Sequence, residues 1–223
     1  MGDVDVIVPV RNERDALPWL LERIPQGVRV IVVDNGSTDG SGELAASLGA
    51  TVVHESVPGF GSACFAGLMA ASRPIVCFID GDGSIDPVSI PVVVDPVLAG
   101  TVDLMIGARR PVPGAMKMHQ KVANRFLARE MQRRSGVAFS DLGPLRAMRR
   151  EELLALDMRD RRSGWPLEMV LKAARANWRI AEVGVAYQPR KGGRSKVTGT
   201  VRGTITAVRD MGRLLVDLDS ERR

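Results

Sequence analysis

The stretch Pro74-Ile75-Val76-Cys77-Phe78-Ile79-Asp80-Gly81-Asp82-Gly83-Ser84 decides how the chain is read, because an apolar run stops abruptly at two carboxylates one residue apart. Five consecutive apolar residues, bounded by Pro74 and Gly81, predict a strand buried on both faces, as in a parallel sheet. In a wound α/β sheet the ligand crevice lies outside the carboxyl ends of the strands, so Asp80 and Asp82 are expected at a site. Two carboxylates around a glycine suit a hard divalent cation, since they can share the ion and leave positions open for diphosphate oxygens. Asp and Gly also populate plain turns, so the motif alone leaves a metal-free turn open.

Working outward, the first half alternates strands and helices. Residues 4–10, 28–34, 51–54, 75–80 and 103–109 have strand composition. Between them, residues 17–24, 38–48, 61–72 and 88–98 have helical length and apolar spacing, with Pro91 and Pro96 weakening the last. The expected fold class is α/β, a Rossmann-like, mostly parallel sheet flanked by helices. Residues 117–134 read as a basic helix and residues 179–187 as a late strand that adds to the sheet.

Three loops follow the first three strands. Pro9-Val10-Arg11-Asn12-Glu13 faces the same crevice if its strand neighbours the one ending at Asp80. In Asp34-Asn35-Gly36-Ser37-Thr38-Asp39-Gly40, Asn35-Gly36 makes a tight turn and Ser37 or Thr38 can cap the next helix. Asp34 is then left at a strand tip as an acceptor for a base or ribose. Pro58-Gly59-Phe60-Gly61-Ser62-Ala63 is a Gly-rich start to a helix, where backbone N–H groups can approach a ligand.

The 223 residues suffice for a sizeable core, and 45% hydrophobic content with mixed charge excludes a disordered chain. No apolar run reaches the roughly 18 residues of a membrane span, and Met1 leads straight into a strand, so a cytoplasmic protein is expected. Cys64 and Cys77 lack metal-ligand spacing and sit among apolar residues, which predicts buried thiols. Charge is divided unevenly: residues 1–110 carry 7 Lys+Arg against 14 Asp+Glu, residues 111–223 carry 24 against 12. The acidic half suits a metal and its diphosphate ligand, the basic half an anionic acceptor or membrane surface. Aromatic residues are only 4% and none interleaves the basic loop near residue 190, which argues against a nucleic-acid binder.

The ordered set VIVPVRNE, VVDNGSTDGS, GFGSA, FIDGDGSIDP, IGARR, DLGPLRAMRR, GWPLEM and RKGGRSK resembles family 2 glycosyltransferases, especially the dolichyl- or polyprenyl-phosphate sugar synthase branch, from about residue 4 to residue 200. The resemblance implies a GT-A fold, a nucleotide-diphosphate sugar donor linked to UDP or GDP, Mg²⁺ or Mn²⁺, and transfer with inversion at the anomeric carbon. Residues 1–110 become the nucleotide-sugar and metal half and residues 111–223 the acceptor-side half of a single domain. By the same resemblance Pro9, Asn12 and Glu13 match the nucleotide-binding loop. Asp34 matches the base-contacting carboxylate, with Gly36, Ser37 and Asp39 in its turn, and Gly61 lies in the loop beside the nucleoside. Asp80 inherits a place near ribose and metal, and Asp82 that of the ligand to the diphosphate-bridging metal. The branch often has Gln two residues beyond the second Asp; Ser84 stands there instead.

The chemistry asks for cations beside a departing diphosphate. Arg109 matches an arginine associated with the acceptor phosphate, while Arg190, Arg194, Ser195 and Lys196 match a mobile basic loop that closes over phosphates. A lipid-phosphate acceptor is already an anion and requires only positioning. A hydroxyl of a soluble acceptor requires a base, for which Asp141 and Glu168 are the candidates. Residues 201–218 space Val201, Ile205, Val208, Met211, Leu215 and Leu218 at helical intervals, as a packed helix or one resting peripherally on the inner face of an anionic membrane. A nucleotidyltransferase is the remaining alternative, but its basic, Gly-rich loop is missing after the first strand.

Overall fold

The apolar runs become strands, and the first of them, β1 (Val4–Val10), lies third of seven in one sheet. The computed structural model describes residues 1–116 and 118–192. Across the sheet the order is β3 (Thr51–His54), β2 (Arg29–Asp34), β1, β4 (Ile75–Phe78), β6 (Leu145–Arg149), β5 (Leu104–Pro111) and β7 (Ile180–Tyr187). Every pairing is parallel except those of β6, which runs antiparallel to β4 and β5. Chain order reverses between β1 and β4, and at such a switch point a crevice opens outside the strand ends.

Helices α1 (Leu17–Glu22), α2 (Ser41–Ser47) and α4 (Ile90–Leu98) cover one face; α3 (Phe60–Ala70), α5 (Met118–Ser135), α6 (Arg150–Ala155) and α7 (Trp165–Arg175) cover the other. The period of two along β1 sends Val6 and Val8 into the first layer and Ile7 into the second. Helix α3 packs close because Gly67 lacks a side chain: a Cβ there would come within 2.4 Å of Ile7 Cγ2. Cys64 and Cys77 are buried free thiols, as expected, with burial pushing both up in pKa.

The structure adds elements that the residue patterns do not announce. β6 was not foreseen, because Leu145-Arg146-Ala147-Met148-Arg149 carries two arginines and is short; tertiary pairing on both sides makes it a strand. Residues 88–98 divide into a 3₁₀ turn, Pro87–Ser89, capped by the Asp86 carboxylate, and α4. Among the described residues no helix is long and apolar enough to cross a membrane. The expected helix at 201–218, and Lys117, Arg194, Ser195 and Lys196, lie outside the described residues.

Candidate active site

The loops after β1 and β2 are stapled to one another before any ligand arrives. Asn12, held at a φ of 54°, donates its backbone N–H to Ser37 Oγ at 2.9 Å, and its Oδ1 accepts from Thr38 N at 2.7 Å. Glu13 N donates to Ser41 Oγ at 2.9 Å, and Arg14 N to Asp39 Oδ2 at 3.2 Å. Gly36, at a φ of 77°, lets the second loop turn back in a conformation that L side chains avoid. Ser37 and Thr38 do not cap α2: Gly40 occupies the cap position, and Asp39 Oδ1 accepts from Ser41 N and Oγ. Asp34 is only half available, since Oδ1 accepts from Ser37 N at 2.8 Å while Oδ2 lies 3.9 Å from His54 Nδ1.

Beyond β4, Asp82 is buried and its Oδ1 accepts from Ser84 N at 2.8 Å, the local turn that Asp favours. Its Oδ2 meets Arg190 Nη1 at 2.5 Å, and the same guanidinium reaches Glu13 Oε1 with Nη2 at 2.5 Å. Arg190 comes from the segment after β7, which crosses the crevice through Gln188 N to Ser84 O at 2.8 Å and Lys191 N to Asp82 O at 3.0 Å. Pro9, next to last in β1, lies against the turn between Asp80 and Asp82, where a Cβ on Gly81 would come within 3.2 Å of Pro9 O. Asp80 sits in the same cluster, where burial first and the Asp82 carboxylate second push its pKa well up.

On the other side of the sheet centre, a cavity of about 510 Å³ is bounded by Arg109 and Pro111 of β5, Arg125 and Arg129 of α5, and the Phe139–Asp141 turn. Arg109, two residues before the end of β5, faces Asp141, which accepts from its Nε and Nη2, each at 2.7 Å, and from its backbone N at 3.0 Å. Its guanidinium also lies 5.5 Å from the Tyr187 ring centroid. Asp141, a candidate base from the sequence, has both its oxygens engaged by Arg109 in the structure.

Two expectations are corrected. Glu168 is not placed as a base: it is 1% exposed and accepts from Arg159 N at 2.9 Å, Asp160 N at 2.7 Å and Lys172 Nζ at 2.8 Å, so it clamps the 157–162 loop. Gly61 does not offer its N–H to a ligand, because that N–H donates to Arg162 O at 2.9 Å. Its missing side chain serves the same packing, since a Cβ would come within 2.6 Å of Asp160 O.

The residue that sequence reasoning underrated is Arg146, 3% exposed in the middle of the sheet. Nη2 donates to Leu142 O at 3.1 Å, Nε has no hydrogen-bond partner among the described residues, and burial brings its pKa down to about 10. Its charge acts on Asp80 and Asp141 from within the core. The available signal was a cation alternating with apolar residues in Leu145-Arg146-Ala147.

A divalent cation fits the donor chemistry of Asp80 and Asp82, whose carboxylates are hard oxygen ligands, and Asp82 already faces a guanidinium. Among the described residues no three His, Cys, Asp or Glu side chains are grouped so as to hold a metal ion by themselves.

Comparison with known proteins bears on the family and the fold. The sequence profile described as glycosyl transferase family 2 matches residues 5–155. An uncharacterized glycosyltransferase of Mycobacterium tuberculosis is 45% identical over 219 residues, covering 96% of this chain and 99% of the relative. An undecaprenyl-phosphate mannosyltransferase of Micrococcus luteus is 31% identical, covering 88% of each chain. A polyprenol monophosphomannose synthase of Mycolicibacterium smegmatis is 32% identical, covering 93% of this chain and 86% of the relative. In structure, the chain is similar to glucosyl-3-phosphoglycerate synthase of Mycobacterium tuberculosis in complex with Mn²⁺, UDP and glucosyl-3-phosphoglycerate. That likeness has a TM-score of 0.75 and 24% identity, covering 96% of this chain and 78% of the other, and concerns the GT-A fold.

Proposed function

The chain belongs to glycosyltransferase family 2, and from that premise we propose that it moves a sugar from a UDP- or GDP-linked donor to a polyprenyl-type lipid phosphate, with Mg²⁺ or Mn²⁺. The observation that carries the choice of acceptor is the lining of the 510 Å³ cavity. Arg109, Arg125 and Arg129 face it beside the apolar Pro111, Met116, Ala128 and Phe139, and the one carboxylate that lines it among the described residues, Asp141, is held by Arg109. Such a wall suits an anion with a hydrocarbon tail. Among the described residues it offers no carboxylate free of Arg109 to take a proton from a hydroxyl, and a phosphate oxygen needs none.

In this reading Asp34 and the stapled loops around Asn12, Ser37 and Asp39 receive the nucleoside, and Asp80 and Asp82 hold the cation. The cation, when bound, neutralises charge building on the departing diphosphate. The acceptor phosphate oxygen attacks the anomeric carbon from the face opposite the bond to the diphosphate. That bond breaks with its electron pair on the diphosphate, and configuration inverts. Arg109 holds the nucleophile, with Asp141 holding Arg109. Arg190 supplies positive charge at the leaving group. The exposed Val112 and Met118, near Arg110 and Arg125, support a peripheral contact with an anionic membrane that delivers the lipid.

The test is incubation of the purified chain with UDP- and GDP-sugars, Mn²⁺ or Mg²⁺, and a short polyprenyl phosphate. A metal-dependent glycosylated lipid phosphate is expected. Transfer to hydroxyl acceptors alone would overturn the acceptor assignment.

A further inference from the structure

Arg190 stands where a donor-bound cation belongs, and its anchoring is unlike that of an ordinary phosphate-binding side chain. Both ends of the guanidinium are engaged by carboxylates from different loops, Asp82 and Glu13, each at 2.5 Å and each less than a tenth exposed. The backbone on either side is pinned as well: Gln188 N to Ser84 O, Lys191 N to Asp82 O, and an isolated antiparallel bridge between Ile85 and Tyr187. Lys191 Nζ rests 4.7 Å from the Trp19 ring centroid, and a Cβ on Gly192 would lie 2.6 Å from Asp15 Cβ. The segment therefore straps the crevice, with its cationic head on the acidic pair.

We propose that Arg190 is the resident counter-cation of the donor site, so that the site takes a divalent ion well only when the ion arrives with a diphosphate. This rests on the reading of Asp80 and Asp82 as metal ligands given above. A divalent ion on Asp82 Oδ2 and a guanidinium 2.5 Å from the same oxygen exclude each other sterically and by like charge. An ion alone must break the Arg190–Asp82 ion pair to gain two carboxylates, and leaves the guanidinium only Glu13 as an anion. An ion carrying a nucleoside diphosphate brings the missing oxygen ligands and a new anionic partner for the displaced guanidinium. The two ligands are thereby coupled, and the coupling is reciprocal. The consequence is specificity: the acidic pair does not fill with a bare cation that would hold the crevice without substrate.

The experiment measures Mn²⁺ uptake by the whole chain without sugar or acceptor, from the electron paramagnetic resonance of the free aqua ion, with and without UDP or GDP. The wild type should bind Mn²⁺ weakly alone and much more tightly with a nucleoside diphosphate. Arg190→Gln should bind Mn²⁺ alone about 10-fold tighter and lose most of the enhancement by nucleotide, within the usual range of coupling between sites. Arg190→Lys, one charge without the fork that spans both carboxylates, should fall between them, and it carries the comparison if the glutamine variant does not fold. Unchanged or weaker binding of Mn²⁺ alone in both variants, with nucleotide-dependent uptake intact in wild type and lost in Asp82→Asn, overturns the role of Arg190 and leaves the metal site standing. Absence of Mn²⁺ uptake by wild type with either nucleotide overturns the metal site itself and the proposal with it.

Discussion

At the two ends of β1 a buried carboxylate meets arginine, and the two meetings are built differently. Near the amino end, Asp5 is fully buried and accepts from Arg29 Nε and Nη2 at 2.8 and 2.7 Å, Ser72 N at 2.7 Å and Arg73 N at 3.0 Å. Arg29 is its register partner on the adjacent strand, so all these donors belong to neighbouring framework. Past the carboxyl end, Glu13 and Asp82 share one guanidinium from a segment more than a hundred residues away in sequence. The lower cluster is also closed by backbone N–H groups of Ser72 and Arg73, whereas the upper one shares a single guanidinium carried by the strap. Charge closed by framework is structure, and charge closed by a displaceable side chain is a site.

The sharpest way to break this comparison is Asp82→Asn. Transfer should fall at least about 10³-fold, roughly 4 kcal/mol of transition-state stabilisation, with little change in melting temperature. Retained metal-dependent turnover would sink the assignment of the upper cluster. Asp5→Ala should do the reverse, costing about 3 kcal/mol of stability at the low end for a broken buried pair, since Arg29 and Arg73 remain partly in water. Turnover per folded molecule should stay near wild type.

The lower cluster also has a pH signature. Burial by itself would raise the Asp5 pKa, but the hydrogen bonds from Arg29 and from the backbone of Arg73 and Ser72 leave it lowered. A folded-state pKa below the unfolded value means a stabilisation that is present above about pH 4 and is lost as pH falls through the folded value. Denaturant titrations from pH 6 down to pH 2 should therefore show wild type losing stability faster than Asp5→Ala. The smallest effect is expected at Glu168→Gln, which keeps the shape but weakens the clamp on the 157–162 loop. We expect about 2 kcal/mol of destabilisation and turnover within a few-fold of wild type. A well-folded variant that has lost about 10³-fold would return Glu168 to the role of base.

Much of the fold was legible in the residues. β1 and β3 start and end where the sequence places them, and β2, β4, β5 and β7 fall within two residues. The central β1 and β4 are clearest because a strand buried on both faces must be apolar throughout, while the edge strands β3 and β7 are marked by β-branched residues between turns. β6 was not, since Arg146 interrupts its apolar pattern and only two antiparallel neighbours hold it in the sheet. The site divides in the same way. Asp80, Asp82 and the stapled loops were marked by carboxylates and turn residues at strand ends. The partners of Asp141, Glu168 and Gly61 were not, because each is met by a segment distant in sequence or by backbone that carries no side-chain signal.

The α/β order, the family, and the position of the acidic pair at a strand end can be read from the residues alone. Burial on two faces and turn formation are properties of neighbouring residues, and these features follow from them. Which charge closes on which emerges from the folded chain: Asp141 on Arg109, Glu168 on a backbone loop, and Arg190 across Asp82 and Glu13. Ion pairs form at a few ångströms between segments whose separation along the chain says nothing of their distance in space, so the fold had to be in place before the site's cation could be found.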